Sequence, residues 1–254
     1  MSPALLAWAE RLHVARGGGP VVDPRPGLTL TEAYAVAGQL HARRVAAGDA
    51  PVGRKIGHTN PANWPHQGIT APSWGWLYAS TTWQGQPLPS ASDWREPKVE
   101  LELVLHLRQT PPAQADAVTL AKCIDAVALG LEFVDRPYPA WGGSVADSVA
   151  AGGVHAGLWI GEAHPCTAGV LSALSQLSAT LAVGDLQSAG GSGLVLGNPL
   201  TALLQLQALL EQQGAPGLQA GEWITTGALA PALPYAPGAA VTARIAGPGL
   251  SLAL

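Results

Sequence analysis

The sequence predicts an α+β fold: a β-rich body, residues 51–254, under an N-terminal helical cap, residues 1–50, in a single domain. Three observations predict it. The 31 glycines and 22 prolines of this 254-residue chain call for many turns, which suits short strands better than a helical bundle. From Val99 to Leu107 aliphatic residues recur at every second position, the period of a strand. The first fifty residues carry apolar stripes at helical spacing instead.

Within the cap, Leu5, Trp8, Leu12 and Ala15 fall on one face of a helix over 3–16, which Gly17-Gly18-Gly19-Pro20 ends. Thr29 and Glu32 have capping-box spacing, and Leu30, Ala33, Val36, Ala37 and Leu40 continue a second stripe that fades near Gly48-Asp49. In the body, Asp116 is placed to cap a helix running to about Ala128, followed by a strand over Leu129–Asp135. The Gly152-Gly153-Val154-His155 turn leads to a strand at Gly157–Ile160, with His155 read as an ordinary turn or interface residue. Asn198-Pro199 opens a long helix with Leu200, Leu203, Leu204 and Leu210 on its buried face, and Gly214 stops it. Alternation returns over Glu222–Thr226 and Ala240–Ile245, and Gly247-Pro248-Gly249 turns into a last strand over Leu250–Leu254.

Composition narrows the function classes. Hydrophobic residues make up 48 % and charged residues 12 %, which argues against disorder. The net charge is −4 with scattered Lys and Arg, so no nucleic-acid partner is expected. No run approaches 18 uncharged apolar residues and the N-terminus lacks a basic segment followed by an apolar run, so neither a membrane partner nor a signal peptide is expected. Cys123 and Cys166 lack metal-ligand spacing, and a reducing cytoplasm is the default location.

The chemistry is concentrated in Pro97-Lys98-Val99-Glu100-Leu101-Glu102. On a strand, Glu100 and Glu102 project from one face, ~7 Å apart along the chain. Two carboxylates in an apolar core are costly unless compensated, and a divalent cation compensates them; the alternative is an edge strand whose glutamate face is wet. Glu132 interrupts a second apolar strand in the same way. Three carboxylates from two strands suit a hard cation, Mg²⁺ or Mn²⁺, and no His stands with them at zinc spacing. Lys55 lies between Gly53 and Gly57, where the backbone can approach a ligand; an exposed surface lysine is the plainer reading. Five of the nine tryptophans fall between Trp64 and Trp94. Core filling is their first reading, and a pocket lining or a subunit interface the second.

Six segments in order then resemble one family: G-R-K-I-G (53–57), P-K-V-E-L-E (97–102), L-E-F-V-D-R (131–136), V-L-G-N-P (195–199), A-G-E-W-I-T-T-G (220–227) and A-P-G-A-A-V-T-A (236–243). Together they resemble the fumarylacetoacetate hydrolase-related superfamily, and within it the 2-keto-4-pentenoate hydratases and 4-oxalocrotonate decarboxylases. The resemblance implies a mixed β-roll core of the fumarylacetoacetate hydrolase C-terminal type in a homo-oligomer, with Mg²⁺ or Mn²⁺ held by Glu100, Glu102 and Glu132. Lys55 would be an active-site residue facing the 2-oxo acid end of a small substrate. Ile56, Gly57, Asn198, Thr226 and Gly227 would lie at the substrate.

The chain also departs from the family pattern. Ala79 and Ser80 follow Gly75-Trp76-Leu77-Tyr78 where hydratases commonly carry an acidic residue, and Ala151 stands at a later acidic position while Asp147 is retained. Asp135-Arg136-Pro137-Tyr138 replaces an Asp-Ser-Arg order. His58, where relatives tend to have an aliphatic residue, is therefore a candidate catalytic acid or base, against the plainer reading of a structural histidine. The function implied is a metal-dependent hydratase of a 2-hydroxydienoic or 2-oxo-enoic acid. The alternatives are a decarboxylase or other 2-oxo acid lyase on the same site, and a non-catalytic metal-dependent binding protein.

Overall fold

The computed structural model describes residues 1–90, 92–236 and 238–254, so Pro237 of the 236–243 segment lies outside the described residues. Helices α1 (Pro3–Arg16) and α2 (Leu30–Ala46) form where their apolar stripes place them. The Ser2 hydroxyl accepts from the Leu5 amide, and Thr29 and Glu32 complete a reciprocal capping box. Strand β1 (Pro51–Gly57), the short helix α3 (Trp64–Gln67), β2 (Ser73–Tyr78) and β3 (Thr82–Gln84) follow. Then come β4 (Lys98–Leu107), α4 (Ala117–Cys123), β5 (Ile124–Val134), α5 (Val145–Ala150), β6 (His155–Ile160) and β7 (His164–Pro165). The remainder is α6 (Ala168–Ala173), β8 (Ser178–Val183), β9 (Leu186–Gly191), α7 (Pro199–Gln213), β10 (Trp223–Ala228), β11 (Leu233–Pro234), β12 (Val241–Gly247) and β13 (Leu250–Ala253).

Nine strands form one mixed sheet in the order β2-β1-β10-β4-β5-β6-β3, with β11 beside β4 and β7 beside β5. A second sheet has the order β13-β12-β8-β9. The glutamate-bearing β4 is therefore central, hydrogen-bonded to β10 on one side and β5 on the other, and the wet-edge reading is excluded. Its Val99, Leu101, Leu103, Leu105 and Leu107 point into the main core, where they meet Leu129, Leu131 and Phe133 of β5, Leu181 and Ile245 of the second sheet, and Leu203, Leu206 and Leu210 of α7. Each such leucine, fully removed from water, contributes roughly 1.5–3 kcal/mol. On the opposite face Leu77, Val104, Ala128, Leu158 and Ile160 form a small apolar cluster. The cap has its own cluster, in which Leu5, Trp8, Leu12, Val36 and Leu40 pack against Val145, Val149 and Ala150 of α5.

Several boundaries differ from expectation. The helix capped by Asp116 stops at Cys123, because Ile124 takes extended dihedrals and residues up to Ala128 are drawn into the ladder with β4. Strand β10 starts at Trp223 and runs on to Ala228. The β8–β9 hairpin has no alternating apolar signal in its second strand, Leu186-Gln187-Ser188-Ala189-Gly190-Gly191, and pairing with β8 alone makes it a strand. Ser192–Gln213 is long and apolar enough, by length and composition, to cross a membrane, though Ser, Asn, Thr, Gln and Glu interrupt its apolar residues. In the fold, Ala202, Leu203, Leu206 and Leu210 of this stretch are buried in the main core.

Candidate metal centre and active site

Register brings the three carboxylates together. In the antiparallel β4–β5 ladder Glu100 lies opposite Glu132, and Glu102 lies opposite Gly130. Each glutamate offers one oxygen, and the three oxygens lie within 4.8 Å of one another. Glu102 and Glu132 are fully buried, while Glu100 is half-buried. The β10 ladder shifts register between Thr225 and Ala228, which turns the Gly227 amide toward β4, where it donates to Glu102 Oε2 at 2.7 Å.

Lys55 reaches this face across two ladders: it is level with Thr225 of β10, which is level with Val104 of β4. It is buried, not an exposed surface lysine. Its Nζ stands 3.4 Å from Glu132 Oε1 and donates to the Gly153 carbonyl at 3.2 Å. Gly153 is a glycine for this reason: its φ is +70°, and a Cβ there would come within 2.7 Å of Lys55 Cδ. On the other side, a Cβ at Gly75 would meet the Gly152 carbonyl at 2.8 Å.

His155 is the residue sequence reasoning missed. Far from being an ordinary turn residue, it is buried, with Nδ1 3.0 Å from Glu132 Oε1 and Nε2 3.2 Å from Thr81 Oγ1. Strict alternation from Leu158, which is level with Glu132, would put His155 on the far face of the sheet. A bulge between Phe133 and Val134 sets His155 level with Val134 and returns its side chain to the glutamate face. No pattern in the sequence announces that bulge.

A cavity of about 740 Å³ opens beside the centre, lined by Lys55, Ile56, Gly57, His58, Glu100 and Glu102 among others. His58 has φ 58°, and its Nδ1 lies 2.8 Å from Ser73 Oγ. Of the other residues expected at the substrate, Asn198 is elsewhere: its side chain caps α7 by accepting from the Leu200 amide, and it does not line this cavity. Thr226 is buried and donates to the Leu103 carbonyl, while Gly227 acts on Glu102 and not on the cavity. Asp147 lines the cavity wall but is committed to capping α5 with Ser144 and to the Arg25 amide. Ser80 bonds Asp49 outside the cavity. Among the tryptophans, Trp74 belongs to the main core and Trp76, Trp83 and Trp94 pack against it, as core filling expects; Trp64 lies outside that core, and Trp74, Trp76 and Trp94 also line a cavity, as a pocket lining expects. A second cavity, about 1390 Å³, runs along α2 and the Trp74–Trp76 side of β2; it contains none of the three glutamates and shares His155 with the centre.

Electrostatics fit a cation. Burial pushes the Glu100 carboxyl up to about 7, with Lys55 pulling it down and Glu132 pushing it up. Glu102 is raised well above the usual range by burial and then by both other glutamates. Burial acts on Glu132 in the same direction, but Lys55 and the His155 hydrogen bond outweigh it and hold this carboxyl below its ordinary value. Burial disfavours the charge on Lys55 too, and the three carboxylates overcome it and raise the ammonium. Two carboxyls pushed toward their protonated forms by burial and by neighbouring glutamates, and a buried Glu132 Oε2 with no hydrogen-bond partner among the described residues, suit an oxygen site for a divalent cation.

The chain matches no protein-family model. It is 34 % identical to the 2-keto-4-pentenoate hydratase of Burkholderia vietnamiensis over 255 residues, covering 97 % of this chain and 95 % of the relative. Its fold is similar to that of 4-oxalocrotonate decarboxylase from Pseudomonas putida G7, solved with magnesium and adipate (TM-score 0.86, 24 % identity, 98 % of this chain and 96 % of the other). It is also similar to a yeast fumarylacetoacetate hydrolase family protein (TM-score 0.55, 17 % identity, 81 % and 92 %). The mixed sheet with its N-terminal helices is thus the fumarylacetoacetate hydrolase fold, and the chain belongs to the 2-keto-4-pentenoate hydratase family.

Proposed function

We propose that this chain is a divalent-metal-dependent lyase of the hydratase type, adding water to a small 2-hydroxydienoic or 2-oxo-enoic acid. The observation that carries the reading is the convergence of Glu100, Glu102 and Glu132 with Lys55 beside a cavity large enough for such a substrate. Full-length similarity to a hydratase supports it. Glu100, Glu102 and Glu132 would hold Mg²⁺ or Mn²⁺, which supplies Lewis-acid stabilisation of charge on substrate oxygens. Lys55 partly neutralises the carboxylates, faces the 2-oxo acid end of the substrate and offsets negative charge developing on its C2 oxygen as carbon is protonated. Ile56 and Gly57 bring the main chain to the cavity wall next to it. His58 has its pKa lowered to about 4 by burial and then by Lys55, so its imidazole is neutral near pH 7. With Nδ1 at Ser73, Nε2 is the nitrogen left to orient water or relay a proton.

A decarboxylase acting on a dicarboxylic 2-oxo acid is the second reading, supported by Lys98 and Arg136, two further cations in the same cavity wall. Arg136 is paired with Glu96, whereas Lys98 Nζ lies 4.5 Å over the Trp141 ring. The deciding experiment offers 2-hydroxypenta-2,4-dienoate and 4-oxalocrotonate, follows the loss of ultraviolet absorbance, and analyses products with Mg²⁺, with Mn²⁺ and after chelation. A hydroxy-oxo acid supports the hydratase and CO₂ the decarboxylase. Activity that survives complete chelation overturns the metal mechanism, and no turnover of either leaves a binding protein.

A further inference from the structure

Glu132 is held from one side only. Both His155 Nδ1, at 3.0 Å, and Lys55 Nζ, at 3.4 Å, engage its Oε1. Among the described residues its Oε2 is buried and has no hydrogen-bond partner. A carboxylate can only accept, so the proton of a neutral imidazole must sit on Nδ1, and Nε2 must then accept from a donor. Thr81 Oγ1, 3.2 Å from Nε2, is placed to donate to it, in competition with the Tyr78 carbonyl at 3.4 Å. The ring is also fixed from its backbone: the guanidinium of Arg16, the last residue of α1, donates to the His155 carbonyl, and the Asp135 amide donates to Val154 at 2.9 Å.

We propose that His155 is a positioning residue: with its tautomer set by the Glu132 carboxylate and its far nitrogen braced by Thr81, it joins Lys55 in holding Glu132 by Oε1, so that Oε2 alone would be presented to the metal. This rests on the reading of Glu100, Glu102 and Glu132 as a divalent-cation site. Partners that orient a ligating side chain typically tune metal affinity by 10–100-fold, and Glu132 is the glutamate with most to lose, since it has no solvent contact to orient it otherwise. The arrangement also ties the N-terminal cap to the centre, through Arg16 and the His155 peptide.

The test is Mn²⁺ affinity, measured by calorimetry or by the electron paramagnetic resonance of free Mn²⁺, on the full chain and four variants. His155→Leu should weaken binding ~10–100-fold. His155→Asn should restore most of it, because its amide nitrogen falls where Nδ1 was. His155→Gln should not, because its amide reaches toward Thr81 instead of Glu132; a space-filling role for His155 would favour Gln at least as well as Asn. Thr81→Val should weaken binding several-fold, in the same direction. Asn and Gln variants of equal affinity, or Leu and Val variants within twofold of wild type, overturn the proposal. If His155→Leu does not fold, the Asn–Gln contrast and Thr81→Val decide by the same criteria. Wild-type protein that binds no Mn²⁺ overturns the metal-site reading and this proposal with it, whereas wild-type binding with indifferent variants overturns this proposal alone.

Discussion

Glu100 and Glu132 face each other directly across the β4–β5 ladder, two acidic side chains on one face of neighbouring central strands. Like charges placed so are destabilising on a sheet. The burial of Glu132 and Glu102 beside half-buried Glu100 adds to the cost, and a bound cation would reverse it.

Metal dependence of stability follows from this. At about 100 times its Kd, Mn²⁺ should stabilise the protein by about 2.7 kcal/mol, read as a rise in the thermal or urea midpoint. Glu132→Gln or Glu102→Gln should abolish that rise and weaken Mn²⁺ binding by more than about 100-fold, beyond what losing a mere orienting partner costs. Glu132→Ala and Glu100→Ala should behave alike. An unshifted midpoint in the wild-type protein at saturating Mn²⁺ would contradict the assignment.

Lys55 separates binding from turnover. Lys55→Ala should bind Mn²⁺ within several-fold of wild type, because losing its hold on Glu132 is offset by losing a positive charge that repels the cation, and lose about 10²–10³-fold in kcat, the scale of one electrostatic donor removed from a developing oxyanion. Gly153→Ala should imitate it in part, because the new methyl group strikes the Lys55 stem. Steady-state kinetics beside a Mn²⁺ titration reads both effects, and a fully active Lys55→Ala enzyme removes the role given to Lys55.

Metal affinity should depend on pH through Glu100. Burial raises its folded-state pKa to about 7, so below that value an incoming cation must displace a proton. Affinity should rise with pH by up to about tenfold per unit for each proton displaced; Glu100 ceases to contribute above pH 7, while Glu102, also raised, adds a dependence of its own. Calorimetry at pH 6 in two buffers of different ionisation enthalpy measures the protons released; Glu100→Gln should release fewer. Zero release from the wild-type protein would exclude this coupling.

His58 acts on stability with the opposite sign to Glu100. Its folded pKa, about 4, lies below the unfolded value near 6.5, so its contribution is fully present above pH 6.5 and is lost as pH falls toward 4. The Glu100 carboxyl, raised on folding, instead costs the metal-free protein stability as pH rises from 4.5 to 7. The two slopes overlap, so the measurement is a difference. Asn tolerates the positive φ of residue 58 and does not titrate. Urea midpoints of His58→Asn, taken at pH 7 and pH 5 with chelator present, should fall less between the two values than those of the wild-type protein.

The sequence alone determined the parts that depend on local order. Period-two alternation placed Glu100 and Glu102 on one face, because side chains on any strand alternate. The capping residues Thr29 and Asn198 and the stop at Gly214 marked helix ends by satisfying local backbone groups. Glu132 stood out as a charge in an apolar run. Tertiary structure decided what depends on pairing. Register, which no local pattern encodes, put Glu132 opposite Glu100 and moved Lys55 from a surface reading to a buried ion pair. The length of α4 was settled by strand pairing overriding helix propensity. Asn198, near the site in the motif order, was spent on a helix end instead. The bulge that turns His155 toward Glu132 is one residue of slippage between two strands, and in a structure of period two a single residue decides which face a side chain occupies.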